Sequence, residues 1–228
     1  MRFEEDLNLV CRKLEEDLDF EDINELRKLK EKLLKMYKQQ LVKSNHSVME
    51  LIVAKYFLTR GWKVDVEHRL TDVLVCDVYC ENDNKIVIVE VETGFVPPEN
   101  AVDPITYRLA RIISKTARYS PFADEFYLAT PGYHILQIPQ FFLISPSERE
   151  KYDKDAKTLK ALCDRYYSKP PVSIEELVKA RIDGIILLNV DKVKVKLMKL
   201  HEYYDVFLMN LRKLGMYIEH HMLSTSKG

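Results

Sequence analysis

Glycine and tryptophan are scarce in this chain, with 6 and 1 in 228 residues. Gly-rich phosphate loops, internal repeats and low-complexity tracts are all missing, which sets aside the usual nucleotide-cradling loops and solenoid architectures. No apolar run is long enough to span a bilayer, and no charged-then-apolar signal segment opens the sequence. The expectation is a cytoplasmic protein with no membrane partner. The cysteines Cys11, Cys76, Cys80 and Cys163 lack the spacing of a zinc or disulfide framework. Cys76 and Cys80 have opposite parity to Asp77 on the same strand-like segment and read as small core residues. An excess of one charge is absent too. With 35 Lys and Arg against 36 Asp and Glu, the formal net charge is −1, so any affinity for nucleic acid has to come from a local patch.

What is present is apolar patterning broken by acids. Hydrophobic residues make up 46% of the chain, enough for a sizeable core. The run Lys85-Ile86-Val87-Ile88-Val89-Glu90-Val91-Glu92 reads as a buried central strand that ends in two carboxylates. Side chains alternate along a strand, so Ile86, Ile88, Glu90 and Glu92 share a face, with the acids roughly 6–7 Å apart along the backbone. Two carboxylates aimed at one point suit a hard divalent ion such as Mg²⁺. The plainer alternative puts both acids in water beyond the rim of the sheet.

Upstream, residues 72–80 form a second Val- and Tyr-rich segment in which Asp77 shares parity with Val73, Val75 and Tyr79. Asn82-Asp83-Asn84 supplies the turn before the next strand. Residues 45–61 begin with capping types and stop at Gly61, as a helix does, and residues 62–69 alternate as a first strand. On that helix His46 precedes Glu50 by one turn. That spacing lets His46 approach the site, but the reading favours a surface role for it at the helix start.

After Glu92 a Pro-rich stretch ends the strand, and Asp103-Pro104 marks the start of another helix. On it Arg108, Arg111, Lys115 and Arg118 fall within a sector of about 80°, and no acid occurs at residues 104–121. Such a stripe is either a solvated face or a surface for phosphates. Residues 125–132 then read as a fourth strand running into a turn.

This order of elements, with acids at these places, resembles the PD-(D/E)xK nuclease superfamily over roughly residues 45–131. The family core is a helix, three strands, a helix and a further strand. The resemblance implies that Asp77 and Glu90 bind metal and that Glu92 occupies the position usually held by Lys, as in some restriction endonucleases of the family. It also makes Glu50 the acid of the first helix and Lys115, slightly ahead of Arg111, the cation that replaces the missing lysine.

The expected fold class is α/β, a restriction-endonuclease-like mixed sheet flanked by helices. It comprises a helical N-terminal extension (1–43), the nuclease-like core (44–190) and a C-terminal strand and helix extension (191–228). In the extension residues 22–37 form an amphipathic helix, which packs on the core or else makes a homodimer. Ser145-Pro146-Ser147-Glu148 and Ser173-Ile174-Glu175-Glu176 read as capping boxes that open helices, residues 183–190 as a strand, and residues 201–220 as a final helix. The expected function is hydrolysis of DNA phosphodiester bonds by metal-activated water, with Mg²⁺ or Mn²⁺ as cofactor and RNA not excluded as substrate. The candidate catalytic residues are Glu50, Asp77, Glu90, Glu92 and Lys115; the metal ligands are Asp77, Glu90 and Glu92; and the phosphate contacts are Arg108, Arg111, Lys115 and Arg118. The alternative is an inactive nuclease-fold module that binds nucleic acid or a protein.

Overall fold

Apolar residues recur at helical spacing from Phe3 to Leu14 and from Leu26 to Leu34. In a computed structural model, which describes residues 2–42 and 44–213, both segments are helices, α1 (Arg2–Glu15) and α2 (Phe20–Lys38). Asp19 caps α2 by accepting a hydrogen bond from the Asp22 amide at 2.9 Å, which satisfies one of the unpaired amides of the first turn. Helix α3 (Ser44–Leu58) ends just before Gly61, whose φ of 74° is a left-handed conformation that glycine adopts without a Cβ clash.

Strands β1 (Lys63–Arg69), β2 (Val75–Asn82) and β3 (Lys85–Val91) form an antiparallel meander. The chain then passes through α4 (Pro104–Tyr119), capped by Asp103, before β4 (Glu125–Pro131) pairs parallel to β3. With β5 (Gly184–Asn189) and β6 (Lys194–Lys199) this makes one six-stranded mixed sheet in the order β1-β2-β3-β4-β5-β6, so the fold is α/β with helices flanking the sheet.

The chain divides into two compact units. The first runs to Thr93 and adds Phe122–His134 and Ile186–Leu197. Its core joins Leu7 and Leu14 of α1, Leu26 and Leu33 of α2, Leu51 and Ile52 of α3, and Val66, Val78, Val87, Val89 and Val91 of the sheet, all completely or almost completely buried. The apolar stripe of α2 is therefore spent inside the chain's own core, where each fully buried leucine contributes about 1.5–3 kcal/mol. Lys32 adds a polar tie from α2 to β1, with Nζ 2.7 Å from Asp65 Oδ1.

The second unit comprises Gly94–Pro121, Ile135–Ile185 and the described residues from Met198 onward. In it α4 packs with α5 (Asp153–Asp164) and α6 (Ile174–Lys179). The Ser173 capping box forms in full at the start of α6. The one expected at Ser145 does not open an α-helix. Its serine hydroxyl is taken by the Glu148 side chain at 2.7 Å instead of a main-chain amide, and residues Pro146–Tyr152 form a 3-10 stretch before α5 begins. That stretch carries Arg149, whose buried guanidinium donates to the carbonyls of Phe141, Ile144, Phe142, Val178 and Ala180. Burial lowers its pKa to about 10, which still leaves it charged at neutral pH. The last described helix, α7 (Leu200–Lys213), holds Tyr203, whose hydroxyl accepts from the Leu136 amide at 2.7 Å; positions 214–220 of the expected final helix lie outside the described residues.

Candidate metal centre

The antiparallel register of β2 and β3 sets Val78 opposite Val89 and Tyr79 opposite Ile88, so one further step faces Asp77 with Glu90. At that step side chains take over from the main-chain ladder. The Asp77 amide donates to Glu90 Oε1 at 3.1 Å, and the Val91 amide donates to Asp77 Oδ2 at 2.6 Å. Each acid thereby satisfies an amide of the opposite strand, which is what a buried carboxylate and a buried amide both require. Glu90 is 1% and Glu92 4% exposed, so the alternative that placed both acids in water is corrected. β3 is a central strand between β2 and β4, and its end is covered.

The second oxygen of Asp77, Oδ1, lies 3.9 Å from His46 Nδ1. His46 and Glu50 are one turn apart near the start of α3 and so project from the same side of the helix. One ligand atom from each of His46, Glu50 and Asp77 lies within 4.8 Å of the other two. Glu50 is fully buried, whereas the side chains of His46 and Asp77 keep 15% and 13% exposure, so the group is approachable from their side. A nitrogen and two carboxylates converging in this way can hold a divalent cation.

Glu90 and Glu92 are not members of this three-residue group. Val87, Val89 and Val91 pack in the core shared with α3, so strand alternation directs the even-numbered residues of β3 away from that helix. Parity does not account for Asp77 itself. Glu67, in the position opposite Asp77 between the pairs Val66–Val78 and His68–Cys76, has a φ of 46°, so the pleat is broken there. Nothing in an ordinary Glu announces such a break.

The surroundings are fixed by buried polar contacts. Burial, and then the charges of Glu90 and Asp77, push the Cys76 thiol well above its ordinary range, so it packs as a neutral group. Thr130 donates its single hydroxyl proton to the Glu92 carbonyl at 2.9 Å, so His134 Nδ1, 2.8 Å from Thr130 Oγ1, is the donor in that second contact. The Glu92 amide donates to the Ala129 carbonyl at 2.7 Å, so the main chain at Glu92 is held on β4 from both sides. A cleft of about 490 Å³ is lined by Val48 and Met49, which lie between His46 and Glu50 in sequence, together with Tyr133, Leu188 and Asp191.

Arg108, Arg111, Lys115 and Arg118 all lie on α4, in the second unit, and all are half-buried. Arg108 Nη2 donates to the Ile135 carbonyl at 3.1 Å, and Arg118 donates to the Pro170 carbonyl while its guanidinium lies 5.9 Å from the Tyr167 ring. Two members of the stripe thus tie loops of their own unit to the helix.

Of the sequence-derived site residues, then, Glu50 and Asp77 come together directly, and Glu90 joins Asp77 through the main chain. His46, read from the sequence as a surface residue, is instead the third member of the group. The spacing His46-x-x-x-Glu50 was the available signal. Comparison with protein-family models, curated proteins and solved structures returns no match. Among the described residues no helix is long and apolar enough to cross a membrane.

Proposed function

We propose that this chain is a metal-dependent nuclease that hydrolyses DNA phosphodiester bonds. The observation that carries this reading is the convergence of His46, Glu50 and Asp77 to within 4.8 Å at the point where Asp77 is interlocked with Glu90. It supports one part of the resemblance, an acid of the second strand beside the acid of the first helix, while Glu90 stands outside the ligand group and holds the Asp77 amide.

In this reading Asp77 divides its work. Oδ2 is committed to the Val91 amide and fixes the carboxylate, while Oδ1 faces His46. A divalent ion held by the three would lower the pKa of water and stabilise charge on phosphate oxygens. Glu90 positions Asp77 by holding its amide, whereas Glu92, just past the end of β3 and directed away from α3, is not assigned a proton-transfer role. Phosphate contacts are proposed for the cations of α4 as a feature of the second unit by itself.

The competing reading, a module that binds without cleaving, is favoured by Glu92 standing where the resemblance expects Lys. Metal-stripped protein resupplied with Mg²⁺ or Mn²⁺ and given labelled DNA and RNA separates the two. Cleavage that stops with chelator and is lost in Asp77→Ala supports the nuclease. Retained binding with no cleavage under any metal supports the module, and equal cleavage by Asp77→Ala assigns the activity to a contaminant.

A further inference from the structure

We infer that the His46–Glu50–Asp77 group selects a first-row transition ion of the Mn²⁺ class over Mg²⁺, with a ring nitrogen of His46 as one ligand. The inference rests on the metal-centre part of the proposed function and is independent of the phosphodiester chemistry.

The donor set decides it. Mg²⁺ favours oxygen ligands and retains several waters, so a pair of carboxylates alone would suit it. The acids that would have completed an all-oxygen set, Glu90 and Glu92, stand outside the group, and an imidazole takes their place. Imidazole nitrogen suits first-row ions such as Fe²⁺, Ni²⁺ and Zn²⁺ and disfavours Mg²⁺; Mn²⁺ stands lowest in that affinity series, which makes it the most stringent member to set against Mg²⁺. Ligand atoms held about 2.0–2.2 Å from one ion lie roughly 3–4 Å from each other. The 3.9 Å between His46 Nδ1 and Asp77 Oδ1 is already in that range, and the 4.8 Å bound on the whole group leaves less than a bond length to close. Charge agrees as well: two carboxylates neutralise a dication at a position where Glu50 has no exposure, and a neutral imidazole adds a ligand without adding charge.

The test uses the full chain, stripped with chelator and without nucleic acid. Mn²⁺ is titrated by electron paramagnetic resonance, spin-echo modulation reads nitrogen coupled to the bound ion, and Mg²⁺ is added as competitor. The expected result is nitrogen coupling in the wild type, resistance to about a 100-fold excess of Mg²⁺, and, in His46→Asn, loss of the coupling with a fall in Mn²⁺ affinity of about tenfold or more. Displacement by Mg²⁺ at near-equal concentration overturns the inference, as does nitrogen coupling that survives in His46→Asn. Should that variant fail to fold, the wild type decides, because Mn²⁺ bound without nitrogen coupling overturns it equally. Selective, nitrogen-coupled Mn²⁺ binding by a protein that cleaves neither DNA nor RNA upholds the inference while removing the nuclease reading.

Discussion

Asp77 and Glu90 close the end of the β2–β3 ladder by exchanging partners: Glu90 Oε1 takes the Asp77 amide at 3.1 Å, and Asp77 Oδ2 takes the Val91 amide at 2.6 Å. The two acids that the sequence marks for chemistry therefore also carry main-chain hydrogen bonds, and mutation will mix the two roles unless the substitutions are chosen to separate them.

Glu90→Gln keeps an oxygen that can accept from the Asp77 amide, whereas Glu90→Ala removes it and leaves a cavity at a site with almost no solvent. The alanine variant is expected to lose about 2–4 kcal/mol, from an unsatisfied amide and lost packing, and the glutamine variant about 1 kcal/mol or less. Urea denaturation of both measures the difference. Equal losses would mean that the Glu90 oxygen has no structural share.

Asp65 gives a pH-dependent signature in the same unit. Burial raises its pKa, but the hydrogen bonds from Lys32 and His68 outweigh burial and hold it below the ordinary carboxylate value. A carboxyl depressed in the folded state stabilises the fold above its unfolded pKa of about 3.9, and that stabilisation disappears as pH falls through the folded value. Because the group is about a third exposed, the effect is limited to about 1 kcal/mol. Wild type should exceed Asp65→Asn in stability at pH 7 and converge with it below about pH 4. A gap that stays constant across that range would assign the loss to packing.

Arg149 holds the second unit together through main-chain carbonyls. Its bonds run to main-chain carbonyls of residues 141–144 and 178–180, and its guanidinium lies 5.1 and 5.3 Å from the Phe141 and Phe142 rings. Arg149→Met removes every donor at once and strands several buried acceptors, so a loss of about 3 kcal/mol or more is expected. Arg149→Lys should recover only part of this, because an ammonium lacks the planar fork that reaches both segments. Thermal melts of the two variants provide the comparison; full recovery by lysine would show that charge alone matters.

Much of this architecture is legible in the sequence because its signals are local. The Asp103-Pro104 start of α4, the Asp83-Asn84 turn between β2 and β3, and the Ser173 capping box each follow from side chains that act on their own neighbours. The apolar stripe of α2 marks a buried face but does not say against what. His46 is only half legible, because its spacing to Glu50 allows two placements. Whether a histidine on the first turn of a helix meets solvent or an acid depends on where β2 passes, and the break at Glu67 that accompanies the approach of Asp77 to α3 has no residue signature. The proline at position 146 fitted an α-helical N-terminus, and the 3-10 stretch that forms there follows from the Ser145–Glu148 side-chain bond and the Arg149 anchorage.

Glu50 should show the opposition between site and stability most directly. Its carboxylate is fully buried within 4.8 Å of ligand atoms of Asp77 and His46, so in metal-stripped protein two acids crowd one place and repel. Glu50→Gln preserves shape and removes one charge. The stripped variant is expected to be as stable as the wild type or more stable by about 1 kcal/mol, since relieving a functional site commonly has this sign. Added Mn²⁺ should raise the melting temperature of the wild type by mass action and leave that of Glu50→Gln nearly unchanged. Differential scanning calorimetry with and without the ion measures both effects in one series. A Glu50→Gln protein that is less stable when stripped yet still gains stability from Mn²⁺ would make Glu50 a structural acid and leave the cation to His46 and Asp77.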